Sequence, residues 1–304
     1  MRIAVVGVGY LGEHHVRVLS EIEDVQLYGV VDIRKDRAID IASRFKVEAF
    51  FDYRDVLNRV DALSIVTPTV SHHEIALNAL RAGKDLFIEK PITATIEEAD
   101  ELIEEAEKRG CILQVGHIER YNPAIRALYD VIEKPFFFES ERLSPFLGRG
   151  SDVDVTVDLM IHDLDIILDI VNSDIKEIRA GGISVLTGMI DVARAWIDFE
   201  DGTAASLLAS RVSSDKIRLL RVFDSTPIGK RLNEVNYKEA ELRMIKRGME
   251  EFIRPEYKEP LREELGDFVR SVMTRKPPRV TGIQAKRALE VALDINSVIR
   301  KGWS

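Results

Sequence analysis

Hydrophobic positions in the first 115 residues come in short runs rich in Val, Ile and Leu, separated by longer stretches with helical spacing. Runs at 2–6, 25–31, 61–66, 85–88 and 111–115 predict strands, with a weaker one at 47–50. The stretches 11–21, 35–45, 53–59, 72–82 and 95–109 predict helices. Thr95 precedes the last of these, and Glu97 and Glu98 fall in its first turn, where acids suit the positive end of the helix dipole. Gly83 and Gly110 stand where helices should stop. Strands alternating with helices of this length make βαβ units, so an α/β fold with a doubly wound parallel sheet is expected.

The rhythm changes after residue 120. A helix at 123–133 leads to a strand at 136–143, a Gly/Pro loop at 144–151 and a long apolar helix at 155–172. Extended segments follow at 176–186, 190–200, 203–212 and 216–223, with turns at Gly188 and Asp201-Gly202 and no helix between them. This predicts a C-terminal α+β domain with a mostly antiparallel open sheet. The charged stretch 224–260 reads as irregular, and helices at 261–275 and 282–300 close the chain around Lys276-Pro277-Pro278. The expected division is therefore 1–120 for dinucleotide binding and 121–304 for substrate binding and oligomerisation. Ala193, Ala195, Ala204, Ala205 and Ser206 are expected on the sheet face away from the helices, as the contact of a homodimer or homotetramer.

Composition narrows the function classes. The 304 residues are 45% hydrophobic and 31% charged, a globular balance that suits two domains. Acidic residues outnumber Lys and Arg by 52 to 43, a net charge of −9, with no basic block, so no nucleic-acid partner is expected. No apolar run is long enough to span a bilayer, and the N-terminus does not read as a signal peptide, so no membrane partner and a cytoplasmic location are expected. The single cysteine, Cys111, can form neither an internal disulfide nor a multi-cysteine metal site.

Gly7-Val8-Gly9-Tyr10-Leu11-Gly12 fits G-x-G-x-x-G, directly after an apolar run and at the head of a helix. Gly7 would make the tight turn, Gly9 would admit a pyrophosphate, and Gly12 would let helix and strand pack closely. Tyr10 and Leu11 complete the predicted cofactor loop of a Rossmann domain. Asp32 ends the next strand, 20 residues beyond Gly12. An acid there accepts from the ribose hydroxyls and repels a 2′-phosphate, which favours NAD over NADP. Ile33 and Arg34 follow it, and Arg34 with Lys35 offers the opposing argument, since either could pair with that phosphate.

The helix at 155–172 carries a polar stripe. Asp158, His162, Asp165 and Asp169 are spaced four, three and four apart, which in a uniform α-helix falls within a wedge of about 60°. Only Asp163 sits well off the line. A carboxylate one turn from an imidazole can orient it and raise its proton affinity, as a general base needs. The stripe could equally be a solvated face with a satisfied core histidine. A metal site is a third reading, but no second His stands at ligand spacing, and His14-His15 and His72-His73 are adjacent pairs that face different ways on a helix.

Three further pieces lie at predicted strand ends: Thr67-Pro68 with His72 beyond it, Glu89-Lys90-Pro91, and Gly116-His117 leading to Arg120-Tyr121-Asn122-Pro123. Ligands of open α/β sheets bind outside such ends. Together with G-x-G-x-x-G and Asp-x-x-x-His, this set resembles the Gfo/Idh/MocA family, the glucose-fructose oxidoreductase and inositol dehydrogenase relatives, over nearly the whole chain. The resemblance implies an NAD-dependent dehydrogenase of sugar hydroxyls. It implies Lys90 as the active-site lysine and Asp158 with His162 as the acid/base pair. It places Thr67, Pro68, His72 and Glu89 beside adenosine and nicotinamide, and His117, Arg120, Tyr121 and Asn122 toward nicotinamide and substrate. No resident metal is implied. Thr67, Pro68 and Pro91 could also simply shape loops, and Lys90 could be a surface lysine. The stretch 139–146 with Asp152-Val153-Asp154 is similar to members that oxidise UDP-N-acetylglucosamine at C3 for lipid A or cell-envelope sugars. A diphosphate would need cations, and Arg120, Arg142, Arg149 and Arg211 are the candidates. The family pattern of glycines just before the catalytic Asp is missing here. A free polyol, inositol or simple sugar is the alternative substrate, and a non-catalytic dinucleotide-sensing regulator the alternative from another class.

Overall fold

A computed structural model describes residues 1–146, 148 and 153–302. The chain forms two compact units: 1–118 with 259–286, and 119–258 with 287 onward. The first begins with β1 (Arg2–Val6), α1 (Tyr10–Glu21), β2 (Gln26–Val31), α2 (Lys35–Phe45), β3 (Glu48–Phe50) and β4 (Ala62–Ile65). It continues with α3 (His72–Arg81), β5 (Asp85–Glu89), α4 (Ile96–Arg109) and β6 (Leu113–Gly116). All strand pairs are parallel, in the order β3-β2-β1-β4-β5-β6. That is the doubly wound order, with its switch point between β1 and β4. Parallel strands covered on both faces need apolar side chains throughout, and β4 and most of β1 and β5 are buried at every position. Thr95 and Glu98 form a reciprocal capping box at the start of α4, and Gly110 ends it at φ +64°. The helix expected at 53–59 is only a 3₁₀ turn, Tyr53–Asp55, started by Asp52 accepting from Arg54 N. Val56 and Val60 are buried there without a helix.

The second unit contains α5 (Pro123–Val131), β7 (Lys134–Leu143), a π-helical turn (Thr156–Met160) and α6 (Ile161–Val171). It goes on through β8 (Ile175–Ile183), β9 (Val192–Phe199), β10 (Ala204–Ser210), β11 (Ile217–Thr226), β12 (Gly229–Asn236), β13 (Glu241–Lys246) and β14 (Met249–Ile253). These strands form one sheet, β14-β13-β12-β11-β7-β10-β9-β8, in which only the β7–β10 pair is parallel. The stretch expected to be irregular, 224–260, is largely a three-stranded meander. Long charged side chains on its outer positions hid the period of two, while Asn233, Val235, Leu242 and Met244 alternate inward. β14 is exposed along most of its length and rich in Glu, a charged edge strand. The small residues expected on one face divide between two: Ala193, Ala195 and Ala205 are fully buried, whereas Ala204 and Ser206 lie half-buried on the opposite face.

Two helices close the chain, α7 (Pro260–Thr274) and α8 (Gly282–Lys301). The single cut expected at 120/121 misplaces α7. Its apolar stripe, Leu261, Leu265, Phe268 and Val272, joins Val16, Leu19 and Phe87 in the core of the first unit. Gln114 Nε2 donates to Glu264 O at 3.1 Å, and Arg275 pairs with Asp85 at 2.7 Å, fastening both ends of the helix. No described helix is long and apolar enough to cross a membrane.

Candidate active site

The three glycines of the loop after β1 have different reasons to be glycine. Gly7 turns the chain at φ +87°, and a Cβ there would lie 2.5 Å from Val66 O. A Cβ on Gly12 would lie 1.9 Å from Gly7 O. The fold itself therefore requires both. A Cβ on Gly9 meets nothing closer than Arg34 Nη2, at 3.9 Å. Gly9 is the N-cap of α1, no side chain caps that helix end, and the space above the backbone is open. This is the clearance a pyrophosphate needs at a helix N-terminus.

Asp32, at the end of β2, is buried. It accepts from Val8 N (3.1 Å), Arg34 N (2.9 Å) and Arg34 Nε (3.1 Å). Burial pushes its carboxyl up, but the Arg34 and Val8 donors outweigh that and hold it below the usual carboxylate range. Large apolar side chains stand in solvent around this loop: Tyr10, Leu11, Ile33 at 89% and Val70 at 84% exposure. They follow the carboxyl ends of β1, β2 and β4, three neighbouring strands, and form the apolar surface a dinucleotide would cover. Val70 escaped the sequence reading because a lone valine in a polar loop carries no signal.

The other expected rim residues also sit at strand ends. His72 is buried, with Nδ1 2.9 Å from Pro91 O and Nε2 2.9 Å from Thr67 O, so it ties the loops after β4 and β5 together. Burial pushes its pKa down, against the pull of those two carbonyls. Thr67 Oγ1 accepts from Ser71 Oγ at 2.9 Å, and Pro68 is exposed. His117 is buried just past β6. Lys90 is half-buried, and its peptide bond to Pro91 is cis. Glu89 Oε2 accepts from Lys90 N at 3.2 Å, while Oε1 lies 3.1 Å from His15 Nε2. His15 Nδ1 in turn lies 3.0 Å from Ser64 Oγ. A Cβ on Gly116 would lie 2.9 Å from the Glu89 carboxylate, so that glycine makes room for it. Sequence reasoning missed His15 and Ser64, which lie 74 and 25 residues from Glu89 in sequence and meet it only through the sheet.

In the second unit the polar stripe divides. Asp165 takes Arg120 in a two-pronged pair, Nε to Oδ2 at 2.6 Å and Nη2 to Oδ1 at 2.9 Å. Asp169 takes Arg120 Nη1 at 2.6 Å and accepts from Tyr129 OH at 2.7 Å. That half of the stripe is structural. Asp158 and His162 are half-buried, as Asp169 is. Asp158 lies in the π turn and His162 in α6, so they do not share the uniform α-helical wedge expected. Among the described residues no cluster of His, Cys, Asp and Glu could hold a metal.

Several expected substrate residues have other work. Arg120 is buried in the pairs with Asp165 and Asp169. Tyr121 is buried, and Asn122 caps α5 by accepting from Ala124 N at 3.0 Å while donating to Tyr237 O at 3.0 Å. Arg142 is buried, its fork on Asp163 (2.8 and 3.0 Å) and its third nitrogen on Glu119 at 2.9 Å. Tyr237 OH also donates to Asp163 at 2.8 Å. A guanidinium so engaged is not free to take a diphosphate, which corrects the role expected for Arg142. Arg211 is buried too, donating to Val153 O at 2.7 Å. Arg149 lies outside the described residues. Arg218, which sequence reasoning passed over, is half-exposed at the start of β11 and approaches Glu119 only to 3.8 Å.

Residues 1–117 match the model of an oxidoreductase family with an NAD-binding Rossmann fold, Gfo/Idh/MocA. Over 98% of its length the chain is 36% identical to UDP-N-acetylglucosamine 3-dehydrogenase of Acidithiobacillus ferrooxidans, of which it covers 97%. A solved structure of that enzyme superimposes with a TM-score of 0.94, at 37% identity, over 99% of this chain and 98% of the other. Myo-inositol 2-dehydrogenase of Thermotoga maritima is 28% identical over 95% of this chain and 93% of its own. The scyllo-inositol dehydrogenase of Lactobacillus casei, solved with NAD(H) and scyllo-inositol, shares the fold at a TM-score of 0.84 and 21% identity, over 99% of this chain and 97% of its own.

Proposed function

The chain belongs to the Gfo/Idh/MocA family of oxidoreductases, and on that premise we propose that it oxidises a secondary hydroxyl of a nucleotide sugar, UDP-N-acetylglucosamine at C3, using NAD. The observation that carries the reading is the likeness, over nearly the full length of both chains, to an enzyme named for that reaction. When bound, NAD supplies the hydride acceptor. Gly7, Gly9 and Gly12 shape the loop for its pyrophosphate, and Asp32 meets its ribose. His162 takes the proton from the sugar hydroxyl, and Asp158 orients the ring. The Lys90 ammonium stabilises the negative charge growing on the oxygen. Glu89, held by His15 and by Lys90 N, fixes the backbone from which that lysine projects. Arg218 is the half-exposed cation we assign to the diphosphate.

An inositol or other free polyol is the second reading. It is favoured by the inositol dehydrogenase relative and by the engagement of Arg120 and Arg142 with protein carboxylates. The test is NADH formation after mixing the protein and NAD with UDP-N-acetylglucosamine, with free N-acetylglucosamine, or with myo-inositol. NADH with the UDP-sugar alone is expected. NADH with inositol alone moves the reading to polyols, and none with any of them favours the non-catalytic sensor. Lys90→Ala and His162→Ala should each abolish turnover while NAD still binds; turnover retained in both refutes the roles of the lysine and the histidine.

The sheet of the second unit carries an aromatic cluster, Phe137 with Trp196 (5.4 Å) and Phe223 (5.7 Å), all half-buried. We read this face as the contact of a homodimer or homotetramer, and a monomer by light scattering at micromolar concentration rules that out.

A further inference from the structure

The π turn that carries Asp158 is held from outside. Thr156, which opens it, is fully buried. Its hydroxyl donates to Asn296 Oδ1 in α8 at 2.5 Å. Asn296 is 2% exposed, and its Nδ2 has no partner among the described residues. Around it α8 buries Ala292, Ile295 and Ile299. An apolar pair would fill this space without leaving an amide unsatisfied, so stability alone does not account for the choice. One turn further along α8, Arg300 pairs with Asp154 Oδ2 at 2.7 Å. Asp154 Oδ1 accepts from Ile190 N at 2.9 Å, and Val155 N donates to Ile190 O at 2.9 Å. Residues 154–156 are thus gripped by α8 and by the segment leading into β9.

π turns are rare, are less favourable than continuous α-helix, and concentrate at functional sites. A π turn takes up one extra residue. Everything upstream is then rotated by about 100° relative to an unbroken α-helix. A chain free to choose would run α-helically from Val155 into α6, and Asp158 would then point elsewhere relative to His162.

We propose that Thr156 and Asn296 are positioning residues for the acid/base pair, their buried hydrogen bond holding 156–160 in the π register and so setting the direction of Asp158 relative to His162. The proposal rests on Asp158 and His162 being that pair. Neither Thr156 nor Asn296 touches substrate in it; both act through the turn.

The test uses Thr156→Val, Asn296→Leu, the double variant and Thr156→Ser in the full chain. Each single apolar change strands one buried polar group and should lower the unfolding midpoint. The double variant removes both groups and should recover most of the loss. Its kcat with the sugar that yields NADH should nevertheless stay down by about tenfold or more, with KM and NAD affinity within about twofold. Thr156→Ser, which keeps the hydroxyl, should retain kcat. The His162 imidazole, its NMR signal identified with His162→Gln, should titrate at a different pH in the double variant, because the direction of the carboxylate relative to it has changed. This readout needs no turnover. A double variant with the parent's kcat and an unmoved His162 titration overturns the proposal. Turnover retained in Asp158→Ala and His162→Ala would instead overturn the assignment on which it rests, whatever Thr156 does.

Discussion

His15 and Glu89 meet inside the first unit, imidazole Nε2 to carboxylate Oε1 at 3.1 Å, with the histidine 1% exposed and the glutamate side chain 16%. The Ser64 hydroxyl on Nδ1 can donate, which leaves the Nε2 proton for the carboxylate. Burial alone would push the Glu89 carboxyl up; the His15 ring, followed by the Lys90 charge and N–H, holds it below the usual range. His15→Ala takes away a charge-assisted bond worth about 2 kcal/mol. The expected loss is ~5 °C in the unfolding midpoint. Glu89→Gln keeps one acceptor oxygen but turns an amide NH2 toward the other donor, so it too should lower the midpoint. Differential scanning calorimetry of the two variants decides the point, and an unchanged midpoint in His15→Ala means the pair contributes nothing.

The glycine loop offers a cleaner separation of folding from binding. Gly12→Ala drives a methyl into Gly7 O, and Gly7→Ala adds a clash with Val66 O at a positive φ. Both should lower the midpoint or abolish soluble expression. Gly9→Ala brings its methyl no closer than ordinary contact, 3.9 Å from Arg34 Nη2, so its midpoint should match the parent's. On the proposed binding mode the added methyl stands where the pyrophosphate approaches, so the NAD dissociation constant should rise on the order of tenfold. Intact NAD affinity in Gly9→Ala would mean the ligand lies elsewhere.

These contrasts follow how far each feature depends on distant residues. The β-α rhythm, the glycine loop and the Thr95 start of α4 are local, and their spacing in sequence is the spacing that matters. The His15–Glu89–Ser64 group is assembled by parallel pairing of β4 and β5 beside α1, which no local pattern reports. Arg120 and Arg142 looked like ligands for a diphosphate because an arginine's partners are invisible in sequence. Their partners are Asp165, Asp169, Asp163 and Glu119, three of them in the helical segment that carries His162. The 3.6-residue period applied to 155–172 conceals the π turn, since one inserted residue leaves the apolar content unchanged. The meander at 229–253 was hidden by surface charge on the outward positions of its strands.

On the proposed cofactor assignment, preference turns on Asp32 and Arg34, which already hold each other through Nε to Oδ1 at 3.1 Å and Nη2 to Oδ2 at 3.2 Å. With the carboxylate present, a 2′-phosphate meets like charge and finds Arg34 engaged. Asp32→Ala releases the guanidinium and removes the ribose acceptor, a charge-assisted bond of about 1.5–3 kcal/mol. NAD affinity should fall roughly 10- to 100-fold, and NADP affinity should hold or improve. Arg34→Ala should leave NAD favoured. Titration of both dinucleotides against both variants tests this, and an unchanged NAD:NADP ratio in Asp32→Ala defeats the assignment.

Acid should act on the second unit through Asp191. Its Oδ2 accepts from the backbone N–H groups of Val185 (2.7 Å), Leu186 (2.6 Å) and Thr187 (2.9 Å), and Oδ1 accepts from the Thr187 hydroxyl at 2.7 Å. Arg211 N donates to its carbonyl at 3.0 Å. Burial pushes this carboxyl up, but the Thr187 hydroxyl and the three N–H groups hold it well below the usual range. A folded-state pKa depressed in this way stabilises the fold fully above the unfolded value, about 4. The contribution is lost progressively as pH falls below that value toward the folded one. Asp191→Asn cannot carry the charge, so its unfolding midpoint should lie several degrees below the parent's at neutral pH. The gap should stay constant down to about pH 5 and narrow below about pH 4. Midpoints measured in parallel from neutral pH to the acid limit of the folded state give the answer. A gap that stays constant through the acid range would show that the loop at 184–190 is organised by the shape of the side chain and not by its charge.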